Sequence, residues 1–318
     1  MFIFKKTTPE LISTWCEIIN VPLSYREEFI KRMAFLFENS KTSFNKKVLE
    51  IWGRPVYDLN PLHQDENYAR NLKGFNFTTT PVFGTLISSN SELLINKIAN
   101  EINLVTTKKV LYSGNQIKYG EPLYPEEELQ WTLNKILPIT DTDQKNLLGF
   151  NFILEGQKDN KKIVVNTTRF RYNRNSFDES ELEKIVSSKN FVAEYEFNIN
   201  YGDLNDALRK GGLAEYSFCS GYSDSKVPLM FPAALVPAGL LKLCYEKTGK
   251  YEGIYRTMDL EFYSRAKLGD FKTYIMNVNE PRERRGVFTY DFKGIVLQEG
   301  KPILSGKFVC ISENKIDL

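Results

Sequence analysis

The residues best suited to chemistry lie together in one short stretch of the sequence. Asp58, Asn60 and His63 fall within six residues around Pro61, and His63 is the only histidine in the chain. A carboxylate and an imidazole held close together by a short loop can exchange protons near neutral pH and grip one water molecule between them. We therefore predict a general acid/base pair, with Asn60 either orienting Asp58 or capping the following turn.

Other catalytic and cofactor motifs are missing from the sequence. It contains no glycine-rich dinucleotide or phosphate loop, no GxSxG nucleophile elbow and no metal-ligand cluster. The four cysteines form no CxxC pair, so neither a zinc ribbon nor a disulfide scaffold is indicated, and reduced, partly buried thiols are expected at Cys16, Cys219, Cys244 and Cys310. We expect neither a metal nor an organic cofactor.

Helical patterns flank the motif. Apolar residues repeat with helical spacing over the first fifty residues, where Pro22 separates two segments, and again after Phe83. A buried helix should therefore begin close to Gly84. The residues between, 53–80, are polar and predict a loop.

The pattern then changes to that of strands. Apolar and polar residues alternate over 129–134 and 150–154, as in half-buried strands, and residues 158–162 predict a hairpin turn before a strand at 163–172. The unit implied is a set of long antiparallel strands wrapped around a central helix.

The second half repeats this order. The apolar run 229–241 corresponds to the segment that begins at residue 81, and strands at 287–297 and 303–311 correspond to the hairpin at 147–172. Residues 173–190 are the best linker candidate. An internal duplication explains the length better than two unrelated domains.

The motif Asp-x-Asn-Pro-Leu-His, with Ala69 six residues after the histidine, resembles the signature of MaoC-like dehydratases and (R)-specific type 2 enoyl-CoA hydratases. The resemblance extends over nearly the whole chain, because it also includes the helix after the motif, the segment 122–126 and the duplicated strands. It implies an α+β double hot-dog fold, with two tandem repeats that each wrap an antiparallel sheet around a central helix. Residues 1–175 would form an N-terminal hot-dog with the motif and a helical extension, and residues 190–318 a degenerate C-terminal hot-dog.

The resemblance also implies an activity, the reversible hydration of trans-2-enoyl thioesters to (3R)-hydroxyacyl thioesters by a hydro-lyase of fatty acid metabolism. Asp58 and His63 would bind the water, remove its proton and protonate the α-carbon, with Asn60 as support. The N–H of Gly84 would polarise the thioester carbonyl, because an N–H at a helix N-terminus is unsatisfied and lies at the positive end of the dipole.

Three aromatic residues depart from the family pattern. Val56-Tyr57 and Phe83 replace the Ser-Gly before the aspartate and the His before the helix glycine, and in the second half Tyr222 replaces the aspartate after Ser220-Gly221. We expect these aromatic side chains in the core or in a tunnel wall. The second half then cannot run the same chemistry, and we predict that it widens the acyl tunnel for medium or long chains.

Alternatives remain open. Asp58 and His63 can belong to a mere polar turn, and Tyr57 can displace Asp58, which would leave a non-catalytic acyl-thioester-binding or scaffold protein. Thioester hydrolysis on the same fold would require a carboxylate on the central helix, such as Glu92. The basic run 282–285 fits either a contact with a CoA phosphate or a solvated hairpin tip.

The composition of the chain indicates which kinds of binding partner to expect. The 318 residues are 42% hydrophobic and carry a net charge of +2, which predicts a globular chain without nucleic-acid binding. The N-terminus does not resemble a secretion signal, and the longest apolar run is too short for a membrane span, so a cytoplasmic protein without membrane association is expected. The expected substrate is an acyl-CoA or acyl-carrier-protein thioester, and the expected state is a monomer or homodimer.

Overall fold

The computed structural model describes residues 7–72, 75–143, 146–213, 226–250 and 253–316. The first half contains the helices α1 (Pro9–Cys16), α2 (Leu23–Glu38), α3 (Lys46–Val56), α4 (Glu66–Asn71) and α5 (Gly84–Val105), and the strands β1 (Lys41–Thr42), β2 (Leu111–Tyr119), β3 (Leu129–Thr140), β4 (Leu147–Lys158) and β5 (Lys161–Arg171). The second half contains the helices α6 (Ser180–Val186), α7 (Tyr201–Lys210) and α8 (Met230–Thr248), and the strands β6 (Phe191–Ile199), β7 (Lys226–Val227), β8 (Ile254–Phe262), β9 (Ala266–Lys267), β10 (Gly269–Asn277), β11 (Arg282–Arg284), β12 (Val287–Gln298) and β13 (Lys301–Ser312).

The strands follow the same order in the two halves. The first half is ordered β1-β3-β4-β5-β2 and the second β6-β10-β12-β13-β8, with β11 added beside β12. In each half the first strand, β1 or β6, lies at one edge, and the strand that follows the central helix, β2 or β8, lies at the other. The duplication inferred from the sequence is therefore present in the topology, while the boundaries at residues 175 and 190 stay a prediction.

One continuous sheet joins the halves. Strand β2 pairs with β8 in antiparallel register, from Gly114 opposite Glu261 to Lys118 opposite Thr257, and this pairing completes an 11-stranded sheet. Strands β7 and β9 form a separate two-stranded sheet. The ends of β2 and β8 consequently lie next to each other, and each half contributes to the surroundings of the other's central helix.

The central helices α5 and α8 are buried for different reasons. Helix α5 begins at Gly84, as predicted, and buries an apolar face that includes Leu86, Ile95 and Ile98. Helix α8 is apolar on nearly every side, which is typical of a helix enclosed by the core. No helix among the described residues has the length and apolar character to cross a membrane.

Two segments predicted as irregular contain helices. The polar stretch 53–80 includes the end of α3, a 3₁₀ turn at Pro61–His63 and helix α4. The linker candidate 173–190 includes α6, whose Ile185 packs on Ile295 and Leu297. Such short helices depend on side-chain caps and tertiary packing more than on periodicity, so the sequence pattern missed them. The Asp65 side chain, for example, caps α4.

Candidate active site

The motif starts with a tight turn at the end of α3. Tyr57 adopts a left-handed conformation with φ 53°, and the Asp58 N–H donates to the carbonyl of Gly53 at 3.0 Å. A Cβ on Gly53 would lie 2.4 Å from the Asp58 carbonyl oxygen, so only glycine fits there. This turn reverses the chain and directs Asp58 into a cavity.

The structure brings Asp58 and His63 together. Asp58 Oδ1 accepts the N–H of Asn60 at 3.2 Å, and Asp58 Oδ2 lies 3.9 Å from His63 Nε2. Their side chains are 13% and 11% exposed. This separation is too long for a direct hydrogen bond but allows one oxygen atom to lie about 2.8 Å from both groups. The pair can therefore share a single water molecule.

Two contacts fix the His63 ring. Its Nδ1 lies 2.8 Å from the carbonyl oxygen of Pro81, and the ring stacks on Phe83 with centroids 3.9 Å apart. A carbonyl only accepts hydrogen bonds, so Nδ1 carries the proton in this contact and the neutral ring leaves a lone pair on Nε2. That lone pair is on the side of Asp58, so a shared water would donate to both groups.

Burial dominates the electrostatics of this pair. It raises the pKa of Asp58, an effect opposed by the charge of His63 and the Asn60 N–H. Burial likewise lowers the pKa of His63, and the Asp58 charge and the Pro81 carbonyl oppose it. Both shifts favour the neutral forms. A neutral imidazole near pH 7 is the form that can accept a proton from water.

Asn60 connects the motif to the second half. Its Oδ1 accepts the N–H of Leu62 at 3.0 Å, which caps the 3₁₀ turn, and its Nδ2 donates to the carbonyl of Gly253 at 3.2 Å. The prediction that Asn60 caps the turn after it is therefore confirmed. The bond to Gly253 adds a tie to the residue just before β8 that sequence spacing could not reveal.

Gly84 lies at the wall of the same cavity, at the N-terminus of α5. No acceptor for its N–H is found within the described ranges. Its carbonyl accepts from Ser88 Oγ and from the Tyr119 hydroxyl, both at 2.9 Å. A Cβ on Gly84 would come within 3.0–3.3 Å of the Tyr119 ring. The absence of a side chain lets the helix start lie directly against Tyr119.

The cavity has a volume of about 780 Å³ and takes its walls from both halves. The first half contributes the motif, the start of α5 and the end of β2. The second half contributes residues that include Pro237, Ile254, Tyr255, Met258 and Ile311. An apolar wall of this size beside a polar pair fits a small-molecule site.

The aromatic departures have separate outcomes. Tyr57 does not line the cavity, since its hydroxyl accepts the N–H of Asn198 and donates to that residue's carbonyl, at 3.1 and 2.7 Å. Its ring packs on Phe197. Tyr57 therefore packs against the core and is not part of a tunnel wall, and Phe83 is a core residue whose ring stacks on that of His63. Tyr222 and the Ser220-Gly221 pair lie outside the described residues.

Sequence reasoning missed three contributors to the site. The backbone carbonyls of Pro81 and Gly253 accept hydrogen bonds from His63 and Asn60. A motif of side chains cannot predict such backbone contacts. Tyr119 was missed because a tyrosine at the end of a strand has no distinctive spacing.

Glu92 lies elsewhere, at a second and smaller cavity of about 240 Å³ between α5, the start of β2 and the end of β8. Its two carboxylate oxygens accept the N–H groups of Leu229 and Met230, at 2.8 and 2.9 Å, where α8 begins. Burial raises the pKa of Glu92 to about 7, and these two N–H donors oppose the shift. Glu92 is thus occupied as a cap for the second central helix.

Comparisons with known proteins now place the fold. No protein-family model and no curated protein matches the sequence. Among solved structures, a MaoC-like dehydratase superposes with a TM-score of 0.56 at 11% identity, covering 87% of this chain and 96% of that one. A MaoC-like dehydratase from Phytophthora capsici gives 0.53 at 12% identity over 85% and 93% of the two chains. A conserved hypothetical protein from Mycobacterium tuberculosis, described as having a double hotdog fold, gives 0.54 at 8% identity over 85% and 93%.

These likenesses establish the fold. The chain is an α+β protein with the double hot-dog architecture, and its similarity to MaoC-like dehydratases extends over most of its length. The resemblance drawn from the six-residue motif is thereby confirmed at the level of the fold. The catalytic roles of Asp58, Asn60, His63 and Gly84 stay predictions.

Proposed function

We propose that this protein is a hydro-lyase that hydrates trans-2-enoyl thioesters reversibly to (3R)-hydroxyacyl thioesters. The observation that carries the proposal is the 3.9 Å separation of Asp58 Oδ2 and His63 Nε2 at the wall of a cavity of about 780 Å³. The Gly84 N–H at a helix N-terminus on the same wall supplies the third group that the chemistry requires.

The first step is activation of water. Asp58 and neutral His63 both present acceptors, so a water between them donates one hydrogen to each and keeps its lone pairs free for attack. As the oxygen bonds to the β-carbon, Nε2 takes the proton. The resulting imidazolium is stabilised by the Asp58 carboxylate and by the bond from Nδ1 to Pro81.

The second step concerns the electrons of the double bond. They move toward the thioester carbonyl as the oxygen adds, and negative charge develops on the carbonyl oxygen. The Gly84 N–H is the donor proposed for that oxygen, at the positive end of α5. Return of a proton to the α-carbon from the acid/base pair completes the addition, and the reverse sequence is dehydration.

The second half serves the acyl chain in this proposal. Ile254, Met258 and Ile311 form apolar wall in the cavity that holds the motif, so they would contact the chain of a bound substrate. We infer medium or long acyl chains, which are substrates of fatty acid metabolism.

The proposal is tested by following the loss of conjugated thioester absorbance with crotonyl-CoA and a longer enoyl-CoA. Asp58→Asn and His63→Ala should each lower turnover by roughly 10²–10⁴-fold, the contribution of a general acid or base. Asp65→Asn is the matched control, because Asp65 caps α4 from outside the cavity and asparagine caps equally well. Circular dichroism would establish that each variant is folded.

Unchanged rates in both variants, on every enoyl thioester that the wild type turns over, would contradict the assignment. Binding of enoyl-CoA without turnover by the wild type would instead support the alternative, a non-catalytic acyl-thioester-binding or scaffold protein. Chiral chromatography of the product tests the (3R) configuration.

A further inference from the structure

The second half adds a hairpin for which the first half shows no counterpart among the described residues. Nine residues, 278–286, join β10 to β12 and include β11, whereas six residues, 141–146, join β3 to β4. Strand β11 pairs with β12 from Arg282 opposite Thr289 to Arg284 opposite Val287. Arg285 and Gly286 form its two-residue turn with φ 55° and 74°, the geometry of a tight hairpin turn.

This hairpin reaches the cavity that contains the motif. Arg284 and Arg285 at its tip, together with Val287 and Thr289, line that cavity. Side chains alternate along a strand, so Arg284 lies on the same face as Val287 and Thr289 while Glu283 points to the opposite face. A third arginine, Arg256 on β8, lines the cavity as well.

The three arginines carry unbalanced positive charge. Arg256, Arg284 and Arg285 are exposed, and none forms an ion pair in the part of the chain that the structure describes, whereas Arg282 binds Asp291 at 2.9 Å. The acidic side chains at the cavity are Asp58, beside His63, and Glu121, which is 3.7 Å from Lys161. Guanidinium groups recognise phosphate strongly because their planar donors match its oxygens.

We propose that the tip of the β11–β12 hairpin and Arg256 bind the phosphate groups of coenzyme A. Naming CoA rests on the proposed function, in which the thioester end of the same ligand lies at Asp58 and His63. The choice of CoA follows from charge, since it carries a diphosphate and a ribose phosphate, whereas the arm of an acyl carrier protein has a single phosphodiester. Three free guanidinium groups match the ligand with several phosphates.

The binding test needs no turnover. Titration calorimetry compares CoA with pantetheine, which lacks phosphate, on the full chain and on the double variant Arg284→Gln/Arg285→Asn. Asparagine is chosen at 285 because it tolerates a left-handed conformation. We expect CoA binding to weaken roughly tenfold in the double variant, with pantetheine binding unchanged. Arg282→Gln, on the same strand but outside the cavity lining, is the control and should bind CoA like the wild type.

Kinetics then separate this subsite from the proposed reaction. With an enoyl-CoA the double variant should raise KM and leave kcat unchanged, and with the phosphate-free N-acetylcysteamine thioester it should change neither. Equal losses with both substrates, or CoA binding that is insensitive to the double variant, would overturn the subsite. Equal sensitivity of an enoyl carrier protein would overturn the choice of CoA. CoA binding that depends on the arginines without turnover of any enoyl thioester would support the subsite and contradict the proposed function.

Discussion

Replacing Asp58 by asparagine should lower the pKa of His63 further below its ordinary value. Burial already lowers the pKa of His63, and the nearby Asp58 charge is the largest influence acting in the opposite direction. An amide occupies nearly the same space as the carboxylate but carries no charge. The substitution therefore removes the stabilisation of the imidazolium while the desolvation of the ring persists.

The strength of the attraction between the two groups follows from their distance. Two unit charges 3.9 Å apart interact by about 1 kcal/mol in a medium like water and by about 4 kcal/mol at an effective dielectric constant of about 20. Side chains only 11% and 13% exposed favour the upper part of that range. Asparagine removes this attraction, so the pKa of His63 should fall clearly below its value in the wild type.

The assay is unambiguous because His63 is the only histidine. The Cε1–H group of its ring gives one NMR signal, and the chemical shift of that signal follows protonation of the ring across a pH titration. Glu121→Gln is the matched control, since it neutralises another carboxylate of the cavity wall and should leave the titration of His63 unchanged. A pKa of His63 that is unaltered or higher in Asp58→Asn would show that the two groups do not interact in the way described.

Three further outcomes are expected. Gly84→Ala places a carbon within 3.0–3.3 Å of the Tyr119 ring, so the helix start must shift, and steady-state turnover of an enoyl thioester should fall roughly 10²-fold, the order expected for a displaced oxyanion donor. Tyr57→Phe loses the hydroxyl contacts with Asn198, which are exposed, and should lower the free energy of unfolding in urea by about 0.5–1.5 kcal/mol with kcat unchanged. Burial raises the pKa of Glu92 from 4.5 to about 7, so its contribution to stability is fully present below pH 4.5 and is lost as the pH rises through 7. Urea unfolding at pH 5 and pH 8 should show this loss in the wild type, on the order of 3 kcal/mol, and Glu92→Gln should abolish it.

Much of the fold was predictable because its strongest signals are local. The alternation over 129–134 became β3, and the turn signal at 158–162 became a two-residue turn at Asp159 and Asn160, both with positive φ. A helix beginning at Gly84 followed from apolar spacing alone. Helix α6 was not predicted, because it is too short to carry a period and depends on packing against a distant segment.

The site was predictable only in part. The proximity of Asp58 and His63 followed from a proline bend spanning six residues, whereas the groups that orient them come from residues 81, 83 and 253. Backbone carbonyls of distant segments leave no trace in side-chain patterns. For the basic run 282–285, the sequence indicated the local structure, a hairpin, but not its location. Its position at the cavity depends on how the two halves pack together.

The pairing of β2 with β8 also limits how this chain can be dissected. Separating the halves at residue 180 would break the pairing of β2 with β8. Each half would then expose an edge strand with unpaired backbone amides and carbonyls. Such edges recruit other chains and precipitate. Shortened forms for crystallography or domain exchange should therefore keep this seam intact, and trimming is best confined to the two ends of the polypeptide.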